Sequence, residues 1–280
     1  MILVFGKTGQ VASELARRAP EAVFLGRDQA DLSNPAACAE AIRQHQPKAV
    51  INAAAYTAVD KAEEEEALAT VINGDAPTAM ARACAGLGIP FIHISTDYVF
   101  DGSGETPWQP SDPVAPLGAY GRSKLAGEQG ILGTAAQATI LRTSWVFSAH
   151  GNNFVKTMLR LAETRDALNV VDDQIGGPTP ASGIAEACLT IAEKMMSGQG
   201  GGVYHYGGQP PASWACFARE TFALAGKEVA VTGIPSSDYP TPAARPLNSR
   251  LNCESLTADF GISPPDWKAA LAETVTELVS

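Results

Sequence analysis

The sequence predicts an α/β fold, a doubly wound parallel sheet followed by a smaller mixed α/β lobe, and three observations carry that reading. Short apolar runs bounded by turn residues alternate with helix-like segments through Arg142, the pattern of buried parallel strands joined by helical crossovers. The first run, Ile2-Leu3-Val4-Phe5, is stopped at once by the turn Gly6-Lys7-Thr8-Gly9-Gln10 and followed directly by a helix-like segment, Val11 to Arg18. Beyond the fourth run, Tyr120 and Lys124 stand four residues apart in a proline-free stretch.

In the opening turn, Gly6, Gly9 and Ala12 give a G-x-x-G-x-x-A spacing, the dinucleotide-binding fingerprint of a Rossmann-type domain. Gly6 permits the tight turn and Gly9 lets backbone approach a pyrophosphate at the helix N-terminus. Ala12 is small enough for helix and strand to pack closely. A second strand is expected over Ala22-Val23-Phe24-Leu25, ending at Gly26-Arg27-Asp28. An acidic residue there grips ribose hydroxyls in NAD-specific folds, whereas an arginine accommodates the 2′-phosphate of NADP. With Arg27 before Asp28 the code is mixed, and it leans to NADP with both cofactors tolerated; an ordinary solvated turn residue is the alternative reading of Arg27.

Pro35 reads as a first helical residue with Ser33 or Asn34 as its N-cap. The strand Ala49-Val50-Ile51-Asn52 then ends in Ala53-Ala54-Ala55-Tyr56, small side chains that leave room for a cofactor backbone. Glu63 to Glu66 reads as the solvated face of a helix, and Ala76 to Leu87 as a helix closed by Gly88.

The stretch from Phe91 to Glu128 organises the rest. Phe91-Ile92-His93-Ile94 is a buried strand with Ser95 and Thr96 at its C-terminal end, and Tyr120 to Glu128 suits a helix entering the core. Residues four apart share a helix face, so Tyr120 and Lys124 lie together. A free tyrosine, with a pKa of about 10, is a poor proton donor near neutrality. A lysine ammonium one turn away favours the phenolate and makes proton transfer practical, and a hydroxyl such as that of Thr96 can hydrogen-bond the same reacting oxygen. Alone, the pair could be an accident of a surface helix; the surrounding motifs decide for chemistry.

Strands alternate with helices through Arg142, and Gly9, Ala54, Thr96 and Trp145 are expected to gather at the carboxyl ends of the strands, where ligands of such sheets bind. After Thr139 to Phe147 the character changes. His150-Gly151-Asn152-Asn153 caps a helix from Phe154 to about Thr164, with Phe154, Met158 and Leu161 at core spacing. Leu168 to Val171 is a strand, Asp172 to Thr179 a turn, Ser182 to Met196 a helix, Val203 to Tyr206 a strand and Ser213 to Leu224 a helix capped by Ser213. Pro235 to Asn252 reads as a loop containing Arg245, Asn248, Ser249 and Arg250, and arginines on an irregular loop suit a diphosphate better than packing. The division expected is a dinucleotide-binding domain over 1–148 and a mainly substrate-binding lobe over 149–280, with a discontinuous boundary.

Composition narrows the function. A length of 280 residues with 45% hydrophobic residues supports a substantial core, and a net charge of −10 argues against nucleic-acid binding. An anionic substrate must then be held by local arginines, lysines or helix N-termini. The five cysteines are scattered without a C-x-x-C pair, so small buried core residues are expected rather than disulfides or zinc. No apolar run is long enough for a membrane span and no basic leader opens the chain, so a soluble cytoplasmic protein is expected.

On these residues the chain resembles the extended short-chain dehydrogenase/reductases, and within them it is similar to the dTDP-4-dehydrorhamnose reductase family. The resemblance spans nearly the whole chain. Its marks are the Gly6–Val11 turn, the segments Asn52–Glu63, Ser95–Gly102, Tyr120–Glu128, Arg142–Phe147 and Gly151–Phe154, and the later Asp173–Thr179 and Arg245–Asn252. It implies hydride delivery from NADPH, with NADH also open, to C4 of dTDP-4-dehydro-L-rhamnose, a dTDP-linked 4-keto-6-deoxy sugar. The product would be dTDP-L-rhamnose for cell-surface polysaccharide.

By matching positions, Tyr120 would donate the proton, Lys124 would lower its pKa and hold the nicotinamide ribose, and Thr96 would hydrogen-bond the C4 oxygen. The resemblance assigns the cofactor to Gly6, Thr8, Gly9, Gln10, Val11, Arg27, Asp31, Leu32, Ala54, Ala55 and Tyr56 together with Tyr120 and Lys124. The substrate falls to Thr96, Asp97, Trp145, Asn153, Arg245 and Asn248, with Trp145 against the sugar ring and the last three at the diphosphate. Some members join subunits through Mg²⁺ held by acidic residues on the first helix and on the helix after the Pro-Thr turn. Glu14 is present on the first, but Ser182 stands where the second acid is sought, with Glu186 one turn on. No metal ligands are assigned, and a homodimer stays open. A related epimerase, which would keep its nicotinamide bound through the cycle, and a non-catalytic regulatory subunit of the same fold are the alternatives.

Overall fold

In the computed structural model, which describes residues 1–279, strand and helix alternate through the first half of the chain. The elements there are β1 (Ile2–Phe5), α1 (Gln10–Arg18), β2 (Val23–Leu25), α2 (Pro35–His45), β3 (Ala49–Asn52), α3 (Val59–Ala62), α4 (Glu66–Thr70), α5 (Ala76–Leu87), β4 (Phe91–Thr96), α6 (Ala119–Leu132) and β5 (Ala138–Thr143). The second half holds β6 (Val146–Phe147), α7 (Phe154–Leu161), β7 (Ala167–Val171), β8 (Ile175–Gly176), β9 (Thr179–Pro180), α8 (Ala181–Met196) and β10 (Gly202–His205). It closes with β11 (Ala212–Ser213), α9 (Trp214–Leu224), β12 (Ala230–Ile234), β13 (Asn248–Ser249), α10 (Glu254–Phe260) and α11 (Trp267–Val279).

Six strands form one parallel sheet in the order β2-β1-β3-β4-β5-β10. The chain runs outward from β1 to β2 and then crosses back to β3. The β1/β3 gap is therefore the switch point, outside whose carboxyl ends ligands of such sheets bind. Both faces are covered, so successive strand residues bury themselves on opposite sides. Leu3, Phe5, Val50 and Phe91 pack with Ile42 of α2 and Met80 of α5. Val4, Ile51 and Ile92 pack with Leu15 of α1 and Ile184 of α8. Each such side chain, fully enclosed, contributes roughly 1.5–3 kcal/mol.

Local chemistry sets the helix ends. Asn34, rather than Ser33, is the N-cap of α2, accepting from the Ala37 N–H at 3.2 Å with Pro35 following. Gly88 closes α5 at φ +65°. Ser213 caps α9 through the Cys216 N–H at 3.0 Å.

Between β5 and β6, Trp145 adopts φ +51° and turns its indole onto Trp214, with ring centroids 3.6 Å apart. The helix expected over Ala76–Leu87 has those bounds as α5, and α4 leads into it through a π-helical turn (Val71–Asp75). The stretches 172–179 and 235–252 depart from the sequence reading as turn and loop, because β8 pairs with β11 and with β13. From beyond residue 148 the sheet draws β10, and covering residues from α8 and α10. The smaller lobe gathers α7, α9 and α11 around Phe147, Phe217 and Trp267, beside the parallel pair β7–β12. All five cysteines are free; four are buried and Cys216 is partly so.

Candidate active site

A cleft of about 1050 Å³ lies over the carboxyl ends of β1, β3, β4 and β5, at the upper end of the range for small-molecule sites. Its floor begins at Gly6. With φ +111° this residue occupies a region that favours glycine, and a Cβ there would press to 3.3 Å from the Ala53 backbone. Gly9 then serves as N-cap of α1 without a side-chain cap, no acid stands in the first turn, and a Cβ at Gly9 would meet nothing within 4 Å. The first N–H groups of α1 thus face open space, the arrangement that binds a phosphate.

Around this loop the cleft brings together Thr8, Gln10 and Val11 on one side and Ala54 and Ala55 after β3 on the other. Arg27, Asp31 and Leu32 line its far end. No hydrogen bond or ion pair among the described residues restrains the exposed Arg27 guanidinium. Asp31 is held below the usual carboxylate range, chiefly by hydrogen bonds from Ser33 and further by the Arg27 charge. Tyr56 is not part of the wall: its hydroxyl donates to Glu65 Oε2 at 2.8 Å and its N–H to Asn73 Oδ1 at 2.8 Å.

Thr96, Tyr120 and Lys124 converge on the same cleft, Thr96 from the end of β4 and the other two from one face of α6. Lys124 is 2% exposed; its Nζ donates to the Ile94 carbonyl at 2.7 Å and lies 3.2 Å from His93 Nε2. Burial lowers the Lys124 pKa to about 8, against the pull of Glu128. The Tyr120 hydroxyl moves the other way. Burial first and then the Asp97 charge push it above its ordinary value, and only a hydrogen bond with Thr96 pulls it back. The expected depression of Tyr120 by Lys124 is not found here, because the ammonium is turned to the Ile94 carbonyl and His93. Tyr120 therefore stays a phenol at neutral pH, the form a proton donor needs.

The helix that carries this pair is clamped at three points. Glu63 Oε1 accepts the Ala119 N–H at 2.8 Å, at the first residue of α6. Glu66 takes Arg122 in a bidentate pair at 2.7 and 2.9 Å. Below them, buried Glu128 accepts from Ser95 Oγ at 2.5 Å and from Arg142 Nη2 at 2.6 Å. Glu63 and Glu64 are exposed, but the run is not one helix face: it joins α3 to α4 and aims carboxylates at α6 and, through Glu65, at Tyr56 and Lys61.

Trp145 lines the cleft beneath its positive φ. Trp214 stacks on its indole, and a Cβ on Gly176 would come within 2.8 Å of it, so that position takes only glycine. Trp214 is held in turn by Gln174 Oε1, which accepts its Nε1–H at 3.1 Å. Asp97 is 2% exposed, accepts from Thr96 Oγ1 at 3.0 Å, and leaves Oδ2 without a hydrogen-bond partner. Burial raises its pKa to about 6 against hydrogen bonds from Ser249 and Thr96.

The three residues assigned to a diphosphate lie outside the cleft lining. Asn153 caps α7 through the Lys156 N–H at 3.2 Å and donates to Gln10 Oε1 at 3.0 Å and the Ser148 carbonyl at 2.7 Å. Asn248 is 1% exposed and ties the carbonyls of Ser103 and Thr106 at 3.2 and 2.9 Å. Arg245 pairs bidentately with Asp60 at 3.0 and 2.9 Å, and its charge reaches Tyr98 in the cleft wall. Sequence reasoning passed over Tyr98, whose ring stands edge-on to Tyr120 at 5.4 Å; its place two residues after Thr96 was the available signal. Glu14 is buried and paired with Arg17 at 3.5 Å and with Arg18, Ser182 is partly buried and Glu186 is exposed. Among the described residues no group of three or more His, Cys, Asp or Glu could hold a metal ion.

Comparison with known proteins gives a consistent family. A family model described as the RmlD substrate binding domain matches residues 1–280. A dTDP-4-dehydrorhamnose reductase of Sinorhizobium fredii is 46% identical over 288 residues, covering 99% of this chain and 97% of that protein. The crystal structure of a dTDP-4-dehydrorhamnose reductase from Clostridium acetobutylicum superposes with a TM-score of 0.94 at 36% identity, covering 100% of this chain and 99% of that one. The corresponding reductase from Bacillus anthracis, solved in complex with NADP, gives 0.92 at 32% identity, covering 99% of this chain and 98% of that one.

Proposed function

The chain belongs to the dTDP-4-dehydrorhamnose reductase family, and on that premise we propose that it reduces the C4 keto group of dTDP-4-dehydro-L-rhamnose to give dTDP-L-rhamnose. It is an NADP-dependent oxidoreductase. The observation that carries the mechanism is the convergence of Thr96, Tyr120 and Lys124 on the cleft that also holds the Gly6–Gly9 loop.

NADPH, when bound, supplies the hydride. The unpaired N–H groups of α1 and the narrow backbone at Gly6 and Gly9 fit its pyrophosphate, and Arg27 fits the 2′-phosphate. Tyr120 gives its phenolic proton to the C4 oxygen as that oxygen gains charge. Thr96 Oγ1, now donating to Asp97, turns its hydrogen bond to the same oxygen. Lys124 holds the nicotinamide ribose and, as an ammonium, stabilises the phenolate left on Tyr120. Trp145 supports the sugar ring, and Asp97 takes a sugar hydroxyl. Of the diphosphate candidates Arg245 is favoured, since its charge is felt at the cleft wall while Asn153 and Asn248 brace neighbouring segments.

The test is loss of reduced-nicotinamide absorbance with dTDP-4-dehydrorhamnose generated in the cuvette. Oxidation dependent on the dTDP sugar supports the reading; folded protein inactive with both NADPH and NADH would refute it. Within it, Arg27→Ala weakens NADPH by roughly ten- to a hundredfold and NADH much less, a charge-assisted phosphate contact being worth about 1.5–3 kcal/mol. Equal losses for the two cofactors, by titration calorimetry, would remove Arg27 from the 2′-phosphate.

A further inference from the structure

Lys124 lines the cleft, but its amine is held from the sheet side. Besides the Ile94 carbonyl, Nζ meets Nε2 of His93 at 3.2 Å. His93 sits in the middle of β4, 1% exposed, and its Nδ1 lies 3.1 Å from Nδ2 of Asn52, its register partner on β3. Asn52 is itself oriented. Its Oδ1 accepts the Ala54 N–H at 3.2 Å, which turns the NH₂ group, with donors only, toward the imidazole.

An amide that donates to Nδ1 leaves the single proton of a neutral imidazole on Nε2. Burial, and then the charge of Lys124, keep His93 neutral by holding its pKa well below the ordinary value. In that tautomer the Nε2–H points at Lys124 Nζ, 3.2 Å away. An ammonium offers only donors to meet it, whereas a neutral amine has a lone pair that accepts it and still leaves N–H groups for Ile94. We propose that Asn52 and His93 form a polarity clamp that opposes the ammonium form of Lys124 and so sets the pH above which turnover fails. The kinetic part rests on the role given to Lys124 above; the state of the ring does not.

The other groups around Lys124 do not account for this. On α6 itself, Tyr120 lies one turn before and Glu128 one turn after; Glu128 favours the ammonium but is neutralised by Arg142 of β5. Asp97, at the end of β4, acts on Tyr120. From the α4–α5 run, Asn73 reaches Ser123 and Glu66 is spent on Arg122 at the surface. His93 is the group whose N–H can meet Nζ directly.

The experiment begins with the full chain labelled with ¹⁵N-histidine, on the alkaline side of the Lys124 titration. The His93 signals are identified by their loss in His93→Gln. The clamp requires a bare Nδ1 and a protonated Nε2; the reverse tautomer overturns it whether or not the chain turns over substrate. The pH profile of kcat with NADPH and the dTDP sugar follows, for the parent chain and for His93→Leu. Removing the opposing N–H moves the alkaline limb up by roughly one pH unit, because the Lys124 ammonium then persists to higher pH. A lowered plateau with the limb unmoved, or moved down, overturns the proposal. If His93→Leu fails to fold, the ring measurement on the parent chain decides alone. Absence of turnover together with the required tautomer would refute the functional reading and leave the clamp standing.

Discussion

Tyr120→Phe turns over dTDP-4-dehydrorhamnose at least ~100-fold more slowly than the parent chain while binding NADPH within about twofold, general acid catalysis being worth roughly 10²–10⁴. The substitution removes one oxygen and keeps the ring that stands edge-on to Tyr98 at 5.4 Å, so the cleft wall is preserved. The phenol suits its task because burial and the Asp97 carboxylate hold it protonated. Lys124 matters after the proton has left, when the phenolate needs a cation beside it. Stopped-flow turnover and fluorescence titration of NADPH check the pair of outcomes. A kcat near that of the parent would assign the proton to another donor.

Arg142→Met destabilises the chain by about 3–5 kcal/mol, the loss expected when one member of a buried pair is removed and its partner keeps an uncompensated charge. The Arg142 and Glu128 side chains are 5% and 1% exposed. Glu128 also accepts from Ser95, the residue before Thr96, and Arg142 precedes Thr143 on β5. The pair thus fastens α6 to the two strands whose ends form the site. Denaturant unfolding should show a lower midpoint with an unchanged slope. A stability within about 1 kcal/mol of the parent would mean that Glu128 reaches water once Arg142 is gone.

The parts of the fold legible in the sequence are those written in local chemistry. Gly6, Gly9, Pro35 and Gly88 each act through their own backbone, and the apolar runs of β1, β3 and β4 are short and bounded by turn residues. The spacing of Tyr120 and Lys124 was legible for the same reason, since a helix places such residues together wherever it lies. What could not be read depends on partners distant in the chain. Glu63 and Glu66 look like a solvated charge run until Ala119 and Arg122 are brought to them. The turn of Trp145 between β5 and β6 depends on Trp214, far along the chain, which receives its ring. Arg245, Asn153 and Asn248 are residue types that bind anions or brace loops equally well, and only their contacts with Asp60, Gln10 and the Ser103 and Thr106 carbonyls separate the two uses. The direction of the Tyr120 shift was misjudged because spacing gives the position of Lys124 but not where its amine is turned.

The central claim is that hydride passes from the nicotinamide to C4 of the sugar. Its most direct test uses NADPH deuterated at both positions of nicotinamide C4, with the product analysed by mass spectrometry and proton NMR. Deuterium at C4 of dTDP-L-rhamnose is the predicted result. Label at another carbon, or a product without deuterium, would contradict it.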